Sequence, residues 1–282
     1  MKVFISADIE GVAGITSFSQ IFPGAPEYPA GCALLTGEVN AAIEGALEAG
    51  ATEVLVADSH SQMTNILPDH LHPEAQLIRG VPRPHYMMQG LDDSFVAVFL
   101  VGYHARAGTP DGVLGHTFTA DFSEVRLNGI AVGESAYNAA FAGHFGVPVA
   151  LITGDDALRR ENETLLPWAE KAVTKWGLTG LAARNLSPQK AQAVIRAAAG
   201  RALKNLSTMK PHVLAQPIRM ELDFGAPAIA PTLCADIPGV QTDLWKTVSY
   251  TASDMPDAVR VLRLVQNLTS GFTRRPTVGW MV

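Results

Sequence analysis

The chain of 282 residues holds only two cysteines, Cys32 and Cys234. They lie far apart and in no metal-binding or redox spacing, which excludes a disulfide-built scaffold and points to a reducing compartment. Basic residues are few and scattered: 21 Lys and Arg stand against 27 Asp and Glu, for a net charge of -6. A nucleic-acid surface needs clustered Lys and Arg, so that class of partner is excluded. No apolar run is long enough to span a bilayer, and Asp8 cuts the run that opens the chain before it could serve as a signal-peptide core. Internal repeats and low-complexity tracts are also missing. The expectation is a cytoplasmic protein with small substrates and neither membrane nor nucleic acid among its partners.

What is plentiful is apolar surface. Hydrophobic residues make up 48% and charged residues 17% of the chain, enough for a sizeable core and roughly two structural units. Lys2 to Ser6, Thr52 to Ala57, Ser94 to Val101 and Val147 to Thr153 are short β-branched or apolar runs of the kind found in buried parallel strands. Between them, Leu35, Val39, Ile43 and Leu47 recur at helical spacing up to Gly50, and Gly133 and Gly146 bracket an Ala-rich helix opening at Glu134. Asn128-Gly129 marks a tight hairpin. Ser187-Pro188 starts another helix with a capping hydroxyl before a first-turn proline. After about Lys210 prolines punctuate strand-like segments, and Ser253 to Leu268 is amphipathic. The expected fold is α/β, a mainly parallel sheet core with helices on both faces over residues 1–205, plus a smaller C-terminal α+β unit over 206–282. Gly14 to Ala30, rich in Gly, Pro and aromatics, reads as a structured loop.

The strand ends carry the chemistry. Asp8 and Glu10 follow the first run and, two apart in extended backbone, share a face. Two ionised carboxylates held together lose hydration and repel, so a proton or a cation belongs between them. His60 follows the second run, His104 the third, and Glu134 opens a helix near the same edge. Ligands of parallel sheets bind at strand C-terminal ends. Three carboxylates and two imidazoles exceed the three protein ligands of a single catalytic zinc and suit two divalent ions, with Asp8 able to bridge them. Ordinary readings exist for each residue alone: a turn histidine, or a helix-start Glu favoured by the macrodipole. Their convergence on one edge favours a metal site. His116, after a Gly-rich loop, is a candidate to act on substrate by stabilising an oxyanion or moving a proton, or else is a loop histidine touching water. Asp155 and Asp156 read as caps of the turn after a strand, or one of them as an anchor for a substrate ammonium or a supporting hydrogen bond. Asp58, two residues before His60 on the same face, is a similar candidate for supporting a ligand.

Taken together, Ser6-Ala7-Asp8-Ile9-Glu10-Gly11, Asp58-Ser59-His60, Gly102-Tyr103-His104-Ala105-Arg106, Gly115-His116-Thr117, Asn128-Gly129 with Gly133-Glu134, and Gly154-Asp155-Asp156 closely resemble the zinc-dependent D-aminopeptidase family often associated with bacterial dipeptide-transport operons. The resemblance covers nearly the whole chain. It implies two zinc ions per subunit, Asp8 as the bridging ligand, Glu10 and His60 on one ion, His104 and Glu134 on the other, and His116 as the catalytic histidine. It also implies release of an N-terminal residue, such as D-Ala, from short peptides by zinc-activated water. A homo-oligomer is implied too, a decamer of stacked pentameric rings with the C-terminal unit at subunit contacts. Alternatives are a binuclear-metal amidase or L-peptide aminopeptidase, and, further off, a phosphoesterase or a non-catalytic peptide-binding protein. A phosphoesterase would want basic residues beside the metals, and Arg106 is the only obvious one nearby.

Overall fold

The computed structural model describes residues 1–225 and 229–273, so part of the expected 206–282 unit lies outside the described residues. The chain runs β1 (Lys2–Ala7), α1 (Tyr28–Glu48), β2 (Glu53–Asp58), β3 (Ala75–Ile78), β4 (Ala97–Tyr103), β5 (Phe122–Leu127), β6 (Ile130–Ala131), α2 (Glu134–His144) and β7 (Val149–Asp155). It continues through α3 (Asp156–Leu165), β8 (Glu170–Thr179), β9 (Ala182–Asn185), α4 (Pro188–Lys204), β10 (Ile218–Phe224), α5 (Ile229–Cys234), β11 (Val240–Thr242), β12 (Thr247–Ala252) and α6 (Met255–Thr273).

A seven-stranded sheet has the order β3-β2-β1-β4-β7-β8-β9. All its neighbours are parallel except β8 and β9, so the expected mainly parallel sheet is present. The chain leaves β1 toward β2 and β3, then returns to lay β4 on the other side of β1. That reversal makes the gap between β1 and β4 the topological switch point, where α/β sheets open a crevice for ligands.

Alternation along β1 sorts the core into two halves. Val3 and Ile5 pack with Leu35, Val39 and Ile43 of α1 and Ile195 and Ala198 of α4 on one face. Phe4 points the other way, toward Tyr137 and Phe141 of α2, Leu222 of β10, and Val259 and Leu262 of α6. That second face is covered partly by a five-stranded antiparallel sheet, β11-β12-β10-β5-β6, in which the Asn128-Gly129 hairpin pairs with strands beyond residue 205. Both hairpin residues have positive φ, 49° and 79°, as a tight turn of this kind requires.

Helix α1 starts at Tyr28 rather than Cys32, because Pro29 sits in its first turn, where no amide donor is needed. β3, α3, β8 and β9 lie outside the expected elements. α3 is a short, mostly polar helix that buries only Ala157, Leu158 and Asn162, and β9 is a four-residue half-exposed edge, so neither offers the apolar run that marks the other elements. Among the described residues, no helix is long and apolar enough to cross a membrane.

Candidate metal centre

Asp8 and Glu10 lie just past the end of β1, and both are almost fully buried. The extended backbone stops at Ala7, so a turn and not strand alternation aims the two carboxylates together. That turn is pressed against β4: Gly11 N donates to Gly102 O at 2.8 Å, and a Cβ at Gly11 would overlap the Tyr103 carbonyl. Only glycine fits so close a crossing. Gly102, at φ +71°, answers from the other side, where a Cβ would overlap the Asp8 carbonyl.

His60 Nδ1 stands 3.4 Å from Asp8 Oδ1 and 3.0 Å from Glu10 Oε1. Its other nitrogen, Nε2, is 2.9 Å from Ile21 O. A carbonyl only accepts, so Nε2 carries the hydrogen, and in the neutral ring the Nδ1 lone pair faces the carboxylate oxygens, acceptor against acceptor, with room for a proton or a cation between them. His104 uses the opposite tautomer to the same end. Its Nδ1 donates to Ala105 O at 2.9 Å, and its Nε2 faces Asp8 Oδ2 and Glu134 Oε1, each at 3.4 Å. Glu134 is the first residue of α2, and its Oε1 also accepts from Phe118 N at 2.7 Å.

His116 is the most open member of the group, with its side chain 27% exposed. Its ring stacks on His104 with centroids 4.2 Å apart and planes 9° from parallel. Nδ1 bonds Leu114 O at 3.0 Å, which leaves Nε2 3.7 Å from Glu134 Oε1. The ligand-type atoms form three overlapping groups: Asp8, Glu10 and His60; Asp8, His104 and Glu134; and Glu10, His104 and His116. Asp8 belongs to the first two, and His116 comes close enough to enter the third.

Among the described residues, Asp8 Oδ2, Glu10 Oε2 and His104 Nε2 are buried with no hydrogen-bond partner. Buried polar atoms left this way are rare and costly unless an ion or water meets them. The donors are carboxylate oxygens and imidazole nitrogens, the set that zinc takes. Ligand atoms about 2.0–2.1 Å from one tetrahedral zinc lie roughly 3.3–3.4 Å from each other, the size of the spacings here. Electrostatics also call for a cation. Burial disfavours charge on Glu10, but the neighbouring His60 and His104 outweigh it and hold Glu10 well below the usual carboxylate range. Burial likewise opposes charge on His60 and His104, and Glu10, Asp8 and Glu134 override it, keeping both imidazoles protonated well above their ordinary range. Protons on the imidazoles thus balance the carboxylates where a divalent ion would.

The surrounding residues brace this cluster. Asp58 is fully buried, and its oxygens accept from Asn65 N and Nδ2 and from Ile66 N, while Asn65 also donates to His60 O at 2.7 Å. Asp155 caps α3 through Leu158 N and holds Val113 N at 2.8 Å, so both its oxygens serve the chain itself. Asp156 accepts from Gly177 N, and the Arg106 amide donates to Glu161. Lys175 has no counterpart in the sequence reading. It is completely buried, and its ammonium donates to the carbonyls of Glu10, Val12 and Ile15, stapling the turn that carries Glu10. Burial pushes its pKa down to about 8 despite the pull of Asp155 and Glu38. The one local signal is a single lysine inside the apolar stretch Val173-Thr174-Lys175-Trp176.

Comparison with known proteins places the chain in a family. Residues 1–264 match the M55 peptidase family, described as D-aminopeptidase. A D-aminopeptidase of Bacillus subtilis (strain 168) is 36% identical over 270 residues, spanning 95% of this chain and 97% of that protein. The solved structure of the zinc-dependent D-aminopeptidase DppA from Bacillus subtilis, a self-compartmentalizing protease, superimposes with a TM-score of 0.93 at 34% identity, covering 98% of this chain and 99% of that one. With the family matched along nearly its whole length and the acidic, histidine-lined crevice at the switch point of the sheet, this chain belongs to the M55 D-aminopeptidase family.

Proposed function

We propose that this chain is a zinc-dependent aminopeptidase that releases the N-terminal residue, a D-amino acid such as D-alanine, from short peptides. Asp8, Glu10, His60, His104 and Glu134 would hold two zinc ions, Asp8 shared between them, Glu10 and His60 on one side and His104 and Glu134 on the other. When bound, the ions supply a Lewis acid for the scissile carbonyl and bring the pKa of water toward neutrality. The observation that carries this reading is the trio of buried, unpartnered ligand atoms on Asp8, Glu10 and His104.

The chain's own groups do the rest. The Ile21 and Ala105 carbonyls hold the outer nitrogens of His60 and His104, so that each ring, on giving up its inner proton to make way for a metal, would present a lone pair inward. His116, tied at Nδ1 to Leu114 O, turns the lone pair of Nε2 toward the site, where it can take up the proton that the attacking water releases. Protonated then on both nitrogens, it can hydrogen-bond a developing oxyanion or pass that proton to the leaving amine. Its nearness to Glu10 and His104 favours one second reading, in which it is a further ligand.

The assembly we propose is a homo-oligomer, a decamer of stacked pentameric rings in the cytoplasm. Kinship with a self-compartmentalizing protease supports an oligomer. The smaller unit, 206–282, would take part in subunit contacts; Leu244 and Trp245, 53% and 71% exposed at the turn between β11 and β12, fit that role. Light scattering on the purified protein tests the subunit count. The activity is tested by measuring metal per chain and assaying matched D- and L-alanyl anilides with and without a chelator. Near two zinc ions and chelator-sensitive cleavage of the D form are expected; cleavage of only the L form would overturn the substrate assignment and keep the chemistry.

A further inference from the structure

Beside the ligand cluster runs a line of buried polar groups on the same chain segments. Asn138 Nδ2 donates to Tyr103 OH at 2.9 Å, Tyr103 OH lies 2.6 Å from Ser6 Oγ, and Ser6 Oγ lies 2.7 Å from Ser59 Oγ. Ser59 in turn donates to the Met87 carbonyl at 3.1 Å. Ser6 Oγ also lies 3.2 Å from the Met87 carbonyl and Ser59 Oγ 3.1 Å from the Ala57 carbonyl. The amide nitrogen can only donate and carbonyls can only accept, so the hydrogens run from Asn138 through Tyr103 to the two serines and end on those carbonyls. Every member is 4% exposed or less.

The positions of its members are the point. Ser6 precedes Asp8 by two residues, Ser59 directly precedes His60, Tyr103 directly precedes His104, and Asn138 lies one helical turn after Glu134. Each element that carries a candidate ligand thus contributes one link. We infer that Asn138, Tyr103, Ser6 and Ser59 are positioning residues that lock the ligand-bearing ends of β1, β2, β4 and α2 into one preformed metal-binding geometry; the inference rests on the ligand assignment proposed above.

Two physical arguments support it. Regular ladder pairing aligns β1 with β2 and β4 up to Ala7, opposite Asp58 and Val101. Beyond it single backbone bonds from Ser59 N to Ala7 O, Asp8 N to Val101 O and Gly11 N to Gly102 O tie the strand ends, while α2 shares no backbone pairing with the sheet and depends on side chains for its position. Apolar packing alone lets a helix slide by fractions of an ångström, whereas a directional hydrogen bond from Asn138 to Tyr103 sets its distance to β4. Second, these sites could be filled by Phe, Ala and Leu, with no polar group to desolvate. A fully satisfied polar network in such a place specifies one arrangement more than it adds stability.

The test uses the full chain stripped of metal. Tyr103→Phe, Ser6→Ala and Asn138→Leu are compared with Tyr137→Phe, which deletes a buried hydroxyl on the same helix whose nearest partner is Met220 Sδ at 3.6 Å. For each, zinc affinity is measured by competition with a chromophoric chelator, and the melting temperature is taken without metal. The network variants should bind zinc at least about 10-fold more weakly than wild type, the scale seen for groups that orient ligands. Tyr137→Phe should bind as wild type does even if its metal-free melting temperature falls as far. The Tyr103→Phe/Asn138→Leu double variant should lose little more than either single, because the links act as a unit. Wild-type zinc affinity in Tyr103→Phe and Ser6→Ala would reduce the network to core filling. His60→Ala separates the two readings: if it loses zinc while the network variants keep it, only this inference fails. If wild type takes up no zinc, the ligand assignment fails and this inference with it.

Discussion

The rings of His116 and His104 lie face to face, 4.2 Å between centroids, with only 9° between their planes. One ring is buried and aims its free nitrogen at carboxylates; the other is part-exposed and held by a loop carbonyl. The stack gives His116 a fixed place beside the cluster, with its Nε2 turned to the same Glu134 Oε1 that His104 faces.

If His116 moves protons or steadies an oxyanion, His116→Ala should keep its full metal content and lose turnover by roughly 100- to 10,000-fold. Metal analysis beside steady-state kinetics checks this. Loss of about one ion per chain would instead make His116 a ligand.

Chelation should abolish activity and lower thermal stability together, both restored by zinc. Free zinc at a thousand times its dissociation constant adds about 4 kcal/mol to the folded state. Melting curves with and without chelator, at fixed protein concentration, read this directly. An unchanged curve would mean that no ion binds the folded chain.

Lys175→Met should destabilise the metal-free chain by about 3–5 kcal/mol, because three buried carbonyls lose their only charged donor at once. Denaturant titration gives the value. A change under about 1 kcal/mol would mean that the turn from Glu10 to Ile15 holds itself.

Glu38 supplies a pH dependence. It is buried in α1, where Oε1 accepts from Ala13 N at 2.9 Å, and burial raises its pKa to about 7 against the opposing pull of that amide and Lys175. Because the folded value lies above the unfolded 4.5, the folded state holds the proton more tightly. The resulting stability is complete below pH 4.5 and is lost as pH rises through 7. Across that window the metal-free wild type should lose about 3 kcal/mol relative to Glu38→Gln. Urea unfolding of both proteins at pH 4.5 and 7.5 measures the gap; parallel behaviour would count against a raised Glu38.

The sequence makes some of this visible and hides the rest for definite reasons. β1, β2, β4 and β7 are legible because strands buried on both faces are apolar throughout, and their polar successors Asp8, His60 and His104 stand out against them. That these residues meet depends on β4 returning beside β1, a matter of strand order that no local pattern encodes. The aim of Asp8 and Glu10 comes from the turn after Ala7, not from strand alternation. Lys175 looks like any outward-facing strand lysine; its partners, the carbonyls of residues 10 to 15, are distant in the chain. Asn138 is one polar residue in an Ala-rich helix, and only the packed structure reveals Tyr103 opposite it.

The Ile21 carbonyl that orients His60 belongs to the same surface stretch as the exposed, stacked Phe18 and Phe22. A surface segment and a buried imidazole are thus joined through one carbonyl, and a change made for the sake of the first is felt by the second. An engineer who redraws that stretch also loosens the ring it steadies, and should screen each variant for bound zinc before interpreting any other effect.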